Sequence, residues 1–416
     1  MTDDRDFDRI ARAWLELGPN EAPDRAVSAV LKAVATTPQV RPLSQRLLWR
    51  LPTMTRFPIT AAAAVAIVIV VGGGALLMLF DGSSGAGGPS TSASPFAEAS
   101  PTISPSPTAA ASLTLPDPVP VEPEAIVAVE KPIGTAFDGQ AVWILTEAGG
   151  LVRIDPATNQ ADPPVVLDDG PYLYNGVSAD ATGLWATRWS PGLVYHLDPA
   201  THQILARIET EYPKGVLAID GAVWVANTHT GTVTRIDPAT NEIVASITVG
   251  STGTSGPNWL TSGFGSIWTG IPRDASIVRI DPATNEIQAT IPAPVTATPC
   301  GKVVVGADAV WITSCASTTF VTRIDPATNT ASAIETGGDT WGIEIVDGAP
   351  WVPIDRRSDS DLIVRIDPGS NQIDRALTPG PGFVGGGDMV VGAGSVWVVD
   401  GANNQVLRLP LAAFAS

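Results

Sequence analysis

The chain has 416 residues and a formal net charge of −18, from 24 Lys and Arg against 42 Asp and Glu. That acidic balance argues against a nucleic-acid partner, which needs clustered cations for phosphate. A hydrophobic share of 44% excludes a chain disordered throughout, and two cysteines exclude a disulfide-built scaffold or a zinc ribbon.

The first 57 residues are patterned for short helices. Phe7, Ile10, Ala11, Trp14 and Leu15 share one helical face, and Gly18-Pro19 ends that stretch. A second helix is predicted from Pro23 through Val27, Val30, Leu31 and Val34, and a third over Leu43 to Leu51. So few residues barely bury one another, leaving two readings: a self-packed hairpin, or helices offered to a cytoplasmic partner.

Pro58 to Phe80 is a run of 23 residues without a charge. At 1.5 Å per residue it matches the roughly 30 Å hydrocarbon core of a bilayer, and a single transmembrane helix is expected over 58–80. Arg41, Arg46, Arg50 and Arg56 precede it, whereas Asp81 is the only charge between it and Glu98. The cationic side stays cytoplasmic, which would place the N-terminus inside and the remainder outside the cell membrane. A cleaved signal peptide starting at Met54 is the alternative. Residues 81–123 are almost entirely Gly, Ser, Ala, Thr and Pro and read as a disordered stalk.

From residue 124 the chain repeats. Trp143, Trp185, Trp224, Trp268, Trp311, Trp351 and Trp397 recur at intervals of 39 to 46 residues. Six repeats then carry an Asp-Pro turn, at Asp155, Asp198, Asp237, Asp281, Asp325 and Asp367, and the seventh has Leu409-Pro410 instead. Such a period with several short strands per unit predicts an all-β, seven-bladed β-propeller over 124–410, with a tail at 411–416; six and eight blades are the alternatives. Asp138-Gly139, Asp220-Gly221 and Asp347-Gly348 suit tight hairpins before the Trp strand. The Trp row reads as packing between blades, and the repeated D-P-A-T-N as a structural turn. The last repeat lacks an outer strand, which Glu124 to Gly134 can supply, closing the ring with a shared blade.

Val305 is expected to face Val310 across a hairpin, and the same count sets Cys300 opposite Cys315. Outside the cell the two would form a disulfide; otherwise they are half-buried thiols.

The loops on one propeller face vary while the D-P-A-T-N face does not, so recognition is expected on the variable face. Nine or ten residues before each Trp, its mouth shows Asn175, Lys214, Asn258, Trp259, Lys302, Trp341 and Asp388. Loops after the Trp strands add Trp189, His229, Arg273, Arg356 and Arg357. These twelve are either a polar and aromatic ligand cup or ordinary solvated loops. His196 and His202 read as surface substitutions within repeats. Gly380, Gly382 and Gly385 form a G-x-G-x-x-G, but a strand rather than a helix follows it, so no dinucleotide site is inferred. No catalytic residue, metal site or cofactor is assigned.

Val-Trp pairs such as Val223-Trp224, with R-I-D-P-x-T-N turns such as Arg235 to Asn241, resemble the extracytoplasmic YVTN and virginiamycin B lyase-like propellers over 124–410. The resemblance implies a propeller outside the cytoplasm. The lyases use a His and Glu site with a divalent metal and W-F-T-E-like repeats. This sequence offers only Trp143 to Glu147 (WILTE), and no His in a matching motif. Residues 6–34 are similar to N-termini of membrane-bound anti-sigma factors, without the zinc-type H-x₃-C-x₂-C motif, since residues 1–80 hold neither His nor Cys. Together these imply a non-enzymatic, membrane-anchored receptor whose propeller binds an extracytoplasmic ligand or protein. Residues 1–57 would engage a partner such as a sigma factor. An extracytoplasmic lyase or hydrolase, or a surface scaffold or adhesion protein, are the alternatives.

Overall fold

The computed structural model describes residues 113–167, 174–314, 319–357 and 360–415, with Tyr174 and Asn175 as backbone only. The expected cytoplasmic helices, transmembrane helix and most of the stalk lie outside these residues. Among the described residues no helix is long and apolar enough to cross a membrane.

The described chain forms seven sheets, antiparallel apart from one short edge strand. We number them blades 1 to 7 by their inner strands: Pro132–Phe137, Tyr174–Asp180, Pro213–Ile219, Leu260–Gly263, Pro299–Gly306, Glu344–Val346 and Met389–Gly392. Each inner strand touches the next, and the seventh touches the first. The fold is a seven-bladed propeller.

Burial follows from that geometry. The second strand of each blade has a neighbouring sheet on both faces, so it reads as a continuous buried run, as in Gly183–Arg188, Ala222–Asn227 and Ser395–Asp400. Outer strands such as Ile204–Glu209 face solvent on one side and alternate. All seven repeat Trp side chains are at most 1% exposed. Several satisfy their indole N–H on the hairpin before them: Trp268 donates to Gly263 O at 3.0 Å, Trp311 to Gly306 O at 2.9 Å and Trp397 to Gly392 O at 3.1 Å.

The D-P-A-T-N turn also fastens one blade to the previous one. Arg235 lies 5.3 Å over the Trp224 ring and donates to Pro282 O and Asn285 Oδ1 of the next blade. Arg279 over Trp268 and Arg408 over Trp397 repeat this, reaching Pro326 with Asn329, and Pro156 with Asn159. The turn's Asn sits in the left-handed region, with φ of 57° at Asn159, 60° at Asn241 and 60° at Asn285, a conformation Asn tolerates better than most residues. Its Asp accepts backbone N–H bonds, which hold the Asp198, Asp281 and Asp325 carboxyls below the ordinary range.

His196 corrects the expectation of a surface substitution. It is 4% exposed, stacked on Trp185 at 3.9 Å, with Nδ1 2.7 Å from Asn241 Oδ1 and Nε2 3.0 Å from Thr182 O. It occupies the Arg position of the latch and meets the same Asn of the next blade. His202 takes the Asn position of its turn, with φ 61°, edge-on to Trp143 at 5.3 Å.

The ring closes as expected: Ala125–Ala128 pairs antiparallel with Gln405–Pro410 as the outer strand of blade 7. Two boundaries differ. The propeller includes residues before 124, because Val119–Pro120 adds in parallel to the outer strand of blade 6 and Val121 is buried. The tail is no free end either: Leu411–Phe414 forms a short 3₁₀ turn whose Phe414 is buried 4.9 Å from the Trp351 ring. Neither was visible in composition, since isolated apolar residues in a Pro-rich or terminal stretch carry no periodicity.

Val305 does face Val310, but the register shifts between Val303 and Pro299, whose partner is Ser314. The strand count that set Cys300 directly opposite Cys315 therefore does not hold through this bulge. Cys300 is buried and is not a free thiol, while Cys315 lies outside the described residues.

Candidate functional site

The channel mouth is shaped by irregular strand starts. Register shifts interrupt the inner strands between Pro132 and Gly134, Tyr174 and Val177, Pro213 and Val216, and Pro299 and Val303. In blade 6 the inner strand breaks outright between Asp339–Thr340 and Glu344–Val346. An extra residue re-aims the side chain beside it, and here it frees Lys214, Lys302 and Trp341 from the pleat. Glycine makes the distortion fit. A Cβ on Gly215 would come within 2.4 Å of Asn258 O, and one on Gly342 within 2.0 Å of Gly387 O. The backbone of each next blade closes onto these glycines, and Gly215 N–H donates to Asn258 O at 2.8 Å.

Around this mouth lies a cavity of about 500 Å³. Five of the expected residues line it: Lys214, Trp259, Lys302, Trp341 and Asp388, from blades 3 to 7. Blade 1 adds Pro132, Ile133 and Glu147. Three features went unpredicted in the sequence: Glu147, the glycine loop Gly385–Gly387, and Glu344 beneath Lys302. Glu147 was noted only inside the WILTE motif, and Gly385 only inside the G-x-G-x-x-G.

The two lysines have different surroundings. Lys302 Nζ donates to Asp388 Oδ1 at 2.8 Å and to Met389 O at 2.6 Å, with Glu344 Oε2 at 3.4 Å. Asp388 Oδ2 in turn accepts from Thr135 N–H at 2.8 Å and Thr135 Oγ1 at 2.9 Å. Burial works against the Lys302 charge, yet the two carboxylates outweigh it and hold its pKa above the usual lysine value. Burial pushes the Glu344 carboxyl up, against the pull of Lys302. Lys302 and Asp388 thus brace blades 5, 6, 7 and 1 rather than standing open to a ligand.

Lys214 has no carboxylate partner among the described residues. Its ammonium lies 6.0 Å from the Trp341 ring centroid, and burial lowers its pKa from 10.5 to about 8. Trp341 is 47% exposed, an unusual position for so large an apolar side chain.

The other expected residues lie elsewhere. Asn258 is buried and donates to Cys300 O at 3.0 Å, joining two blades. Trp189 and His229 form a separate aromatic cluster with Tyr212: His229 stacks on Tyr212 at 4.0 Å and meets Trp189 edge-on at 5.1 Å. Arg273 is exposed beside Gly253. Arg357 pairs with Asp339, and Arg356 N–H donates to Asp361. The Asn175 side chain lies outside the described residues.

The sequence model of the glutamine cyclotransferase family matches residues 144–301, from the Trp strand of blade 1 into blade 5. No curated protein matches the chain. Among solved structures, virginiamycin B lyase from Staphylococcus aureus is similar with TM-score 0.58 at 16% identity, over 69% of this chain and 98% of that one. Kuenenia stuttgartiensis hydrazine synthase gives TM-score 0.58 at 13% identity, over 69% and 97%. A chain of the mitotic checkpoint complex gives 0.57 at 12%, over 74% and 99%. Neighbours this distant share the fold, and their range of names shows that the fold alone assigns no activity.

Proposed function

We propose that this chain is a membrane-anchored, non-enzymatic binding propeller that takes a small ligand in the cavity at its channel mouth. The observation that carries the reading is Lys214, an ammonium without a counter-charge among the described residues, beside the exposed Trp341 in a cavity of about 500 Å³. Ligand pockets of this size with few polar groups are the ordinary setting for small-molecule recognition. Anchoring through residues 58–80, with the propeller outside, rests on the uncharged run and the arginines before it. Residues 1–57 would then offer amphipathic helices to a cytoplasmic partner such as a sigma factor. A Cys300–Cys315 disulfide belongs to the same extracytoplasmic reading and is checked by non-reducing peptide mapping.

Binding is tested by thermal shift of the full-length chain against a small-molecule library, since a ligand bound only to the folded state raises Tm. Hits should lose their shift in Trp341→Ala, which removes a half-exposed ring and little core. Shifts that survive in that variant would place binding elsewhere and refute the reading. Periplasmic or surface accessibility of the propeller to an impermeant label tests the topology.

A second reading is enzymatic, favoured by the family match over 144–301, which spans Glu147, Lys214 and Trp259. Its assay is ammonia release from a peptide with N-terminal glutamine. A lyase with a His and Glu metal site finds less support: among the described residues no three His, Cys, Asp or Glu side chains converge.

A further inference from the structure

We infer that the cavity selects a small organic acid, its single carboxylate set at the Lys214 ammonium and its flat apolar body against Trp341 and Trp259. This rests on the binding reading above and names the ligand class for the same site.

Among the described residues, each carboxylate at the cavity already has a partner: Glu147 pairs with Lys131 at 3.1 Å, and Asp388 and Glu344 share Lys302. Lys302 spends its donors on Asp388, Glu344 and the Met389 carbonyl. Among the described residues of the lining, Lys214 is left as the one cation without a carboxylate partner. A partly buried ammonium without a counter-ion is held in an unfavourable state that an incoming anion relieves. Its lowered pKa, to about 8, has the same physical origin.

Geometry narrows the anion. Among the described residues no arginine lines the cavity, so they offer no bidentate fork of the kind that favours phosphate. One ammonium matches one carboxylate. Two indole rings, Trp259 and Trp341, supply apolar faces for a planar body, and stacked rings add to the gain from area alone. Gly385, Gly386 and Gly387 carry no side chains into the space, which lets a ring approach the backbone there. A cationic ligand would meet Lys214 with like charge and is disfavoured.

The test is isothermal titration of the full-length chain with 2-naphthoate and indole-3-acetate, each against its neutral amide, 2-naphthamide and indole-3-acetamide. The acids should bind at least about tenfold more tightly than the amides at pH 7. Lys214→Met should abolish that preference, and Lys214→Arg should keep it. Raising the pH to 9.5 should weaken the acids by about an order of magnitude, because Lys214 loses its proton, and leave the amides unchanged. Equal binding of acids and amides, still sensitive to Trp341→Ala, overturns the carboxylate inference and leaves the binding reading standing. If no probe of either kind binds, both fall.

Discussion

Lys214→Met should make the propeller more stable, although it removes a residue from the proposed binding site. In the unfolded chain Lys214 is an ordinary solvated lysine; in the fold, burial brings its pKa from 10.5 to about 8. That drop corresponds to about 3 kcal/mol of disfavoured charge. Residual solvent access at this partly exposed side chain trims the figure to about 2 kcal/mol. The sign follows from linkage: the cation is disfavoured in the folded state, so its penalty is complete below pH 8 and fades as pH rises toward 10.5. Methionine fills a similar volume and carries no charge. Urea unfolding followed by far-ultraviolet circular dichroism should therefore show Lys214→Met more stable by about 2 kcal/mol at pH 7, with the gain shrinking by pH 10. A variant less stable than the parent at pH 7, or a gain that does not depend on pH, would refute the account of Lys214 as an uncompensated buried cation.

Asp388→Ala should act in the opposite direction. It strips an acceptor from Lys302 Nζ and from both the N–H and hydroxyl of Thr135 across the closing junction, and should cost about 3 kcal/mol or more in the same unfolding assay. His196→Ala should lose about 2 kcal/mol by breaking the contact with Asn241 and the stack on Trp185, whereas His196→Arg should recover most of it by restoring the latch found at other junctions. Ala307-Asp308 is a hairpin turn with φ of 51° and 57° and no glycine. Asp308→Gly should accordingly raise stability by about 0.5–1 kcal/mol, read as a higher urea midpoint with unchanged slope.

The blade count was legible because the demand behind it is local and repeated. Each central strand needs a large buried side chain and each hairpin a fixed turn, so Trp and D-P-A-T-N recur at a period that reads directly as blades. Ring closure was legible for the same reason, since the missing outer strand of the last repeat has a matching apolar segment at residues 124–134. Mouth positions could be found by offset from each Trp, and five of those seven do line the cavity.

Composition and spacing could not decide which of these residues is available. Lys214 and Lys302 stand ten and nine residues before their repeat Trp, yet Lys302 is bound by Asp388, 86 residues away, and Lys214 meets no acid among the described residues. His196 looked like a surface change because it stands where other repeats carry Arg, but the neighbouring blade covers it and its partner lies 45 residues ahead. Bulges such as the one between Pro213 and Val216 shift side chains out of the alternating pattern without leaving a hydrophobic signature. The sequence by itself determined the repeat, its turns and the closure, because those depend on neighbours a few residues apart. Charge pairing at the channel mouth depends on side chains from different blades brought within about 3 Å of one another, and only the closed ring decides that.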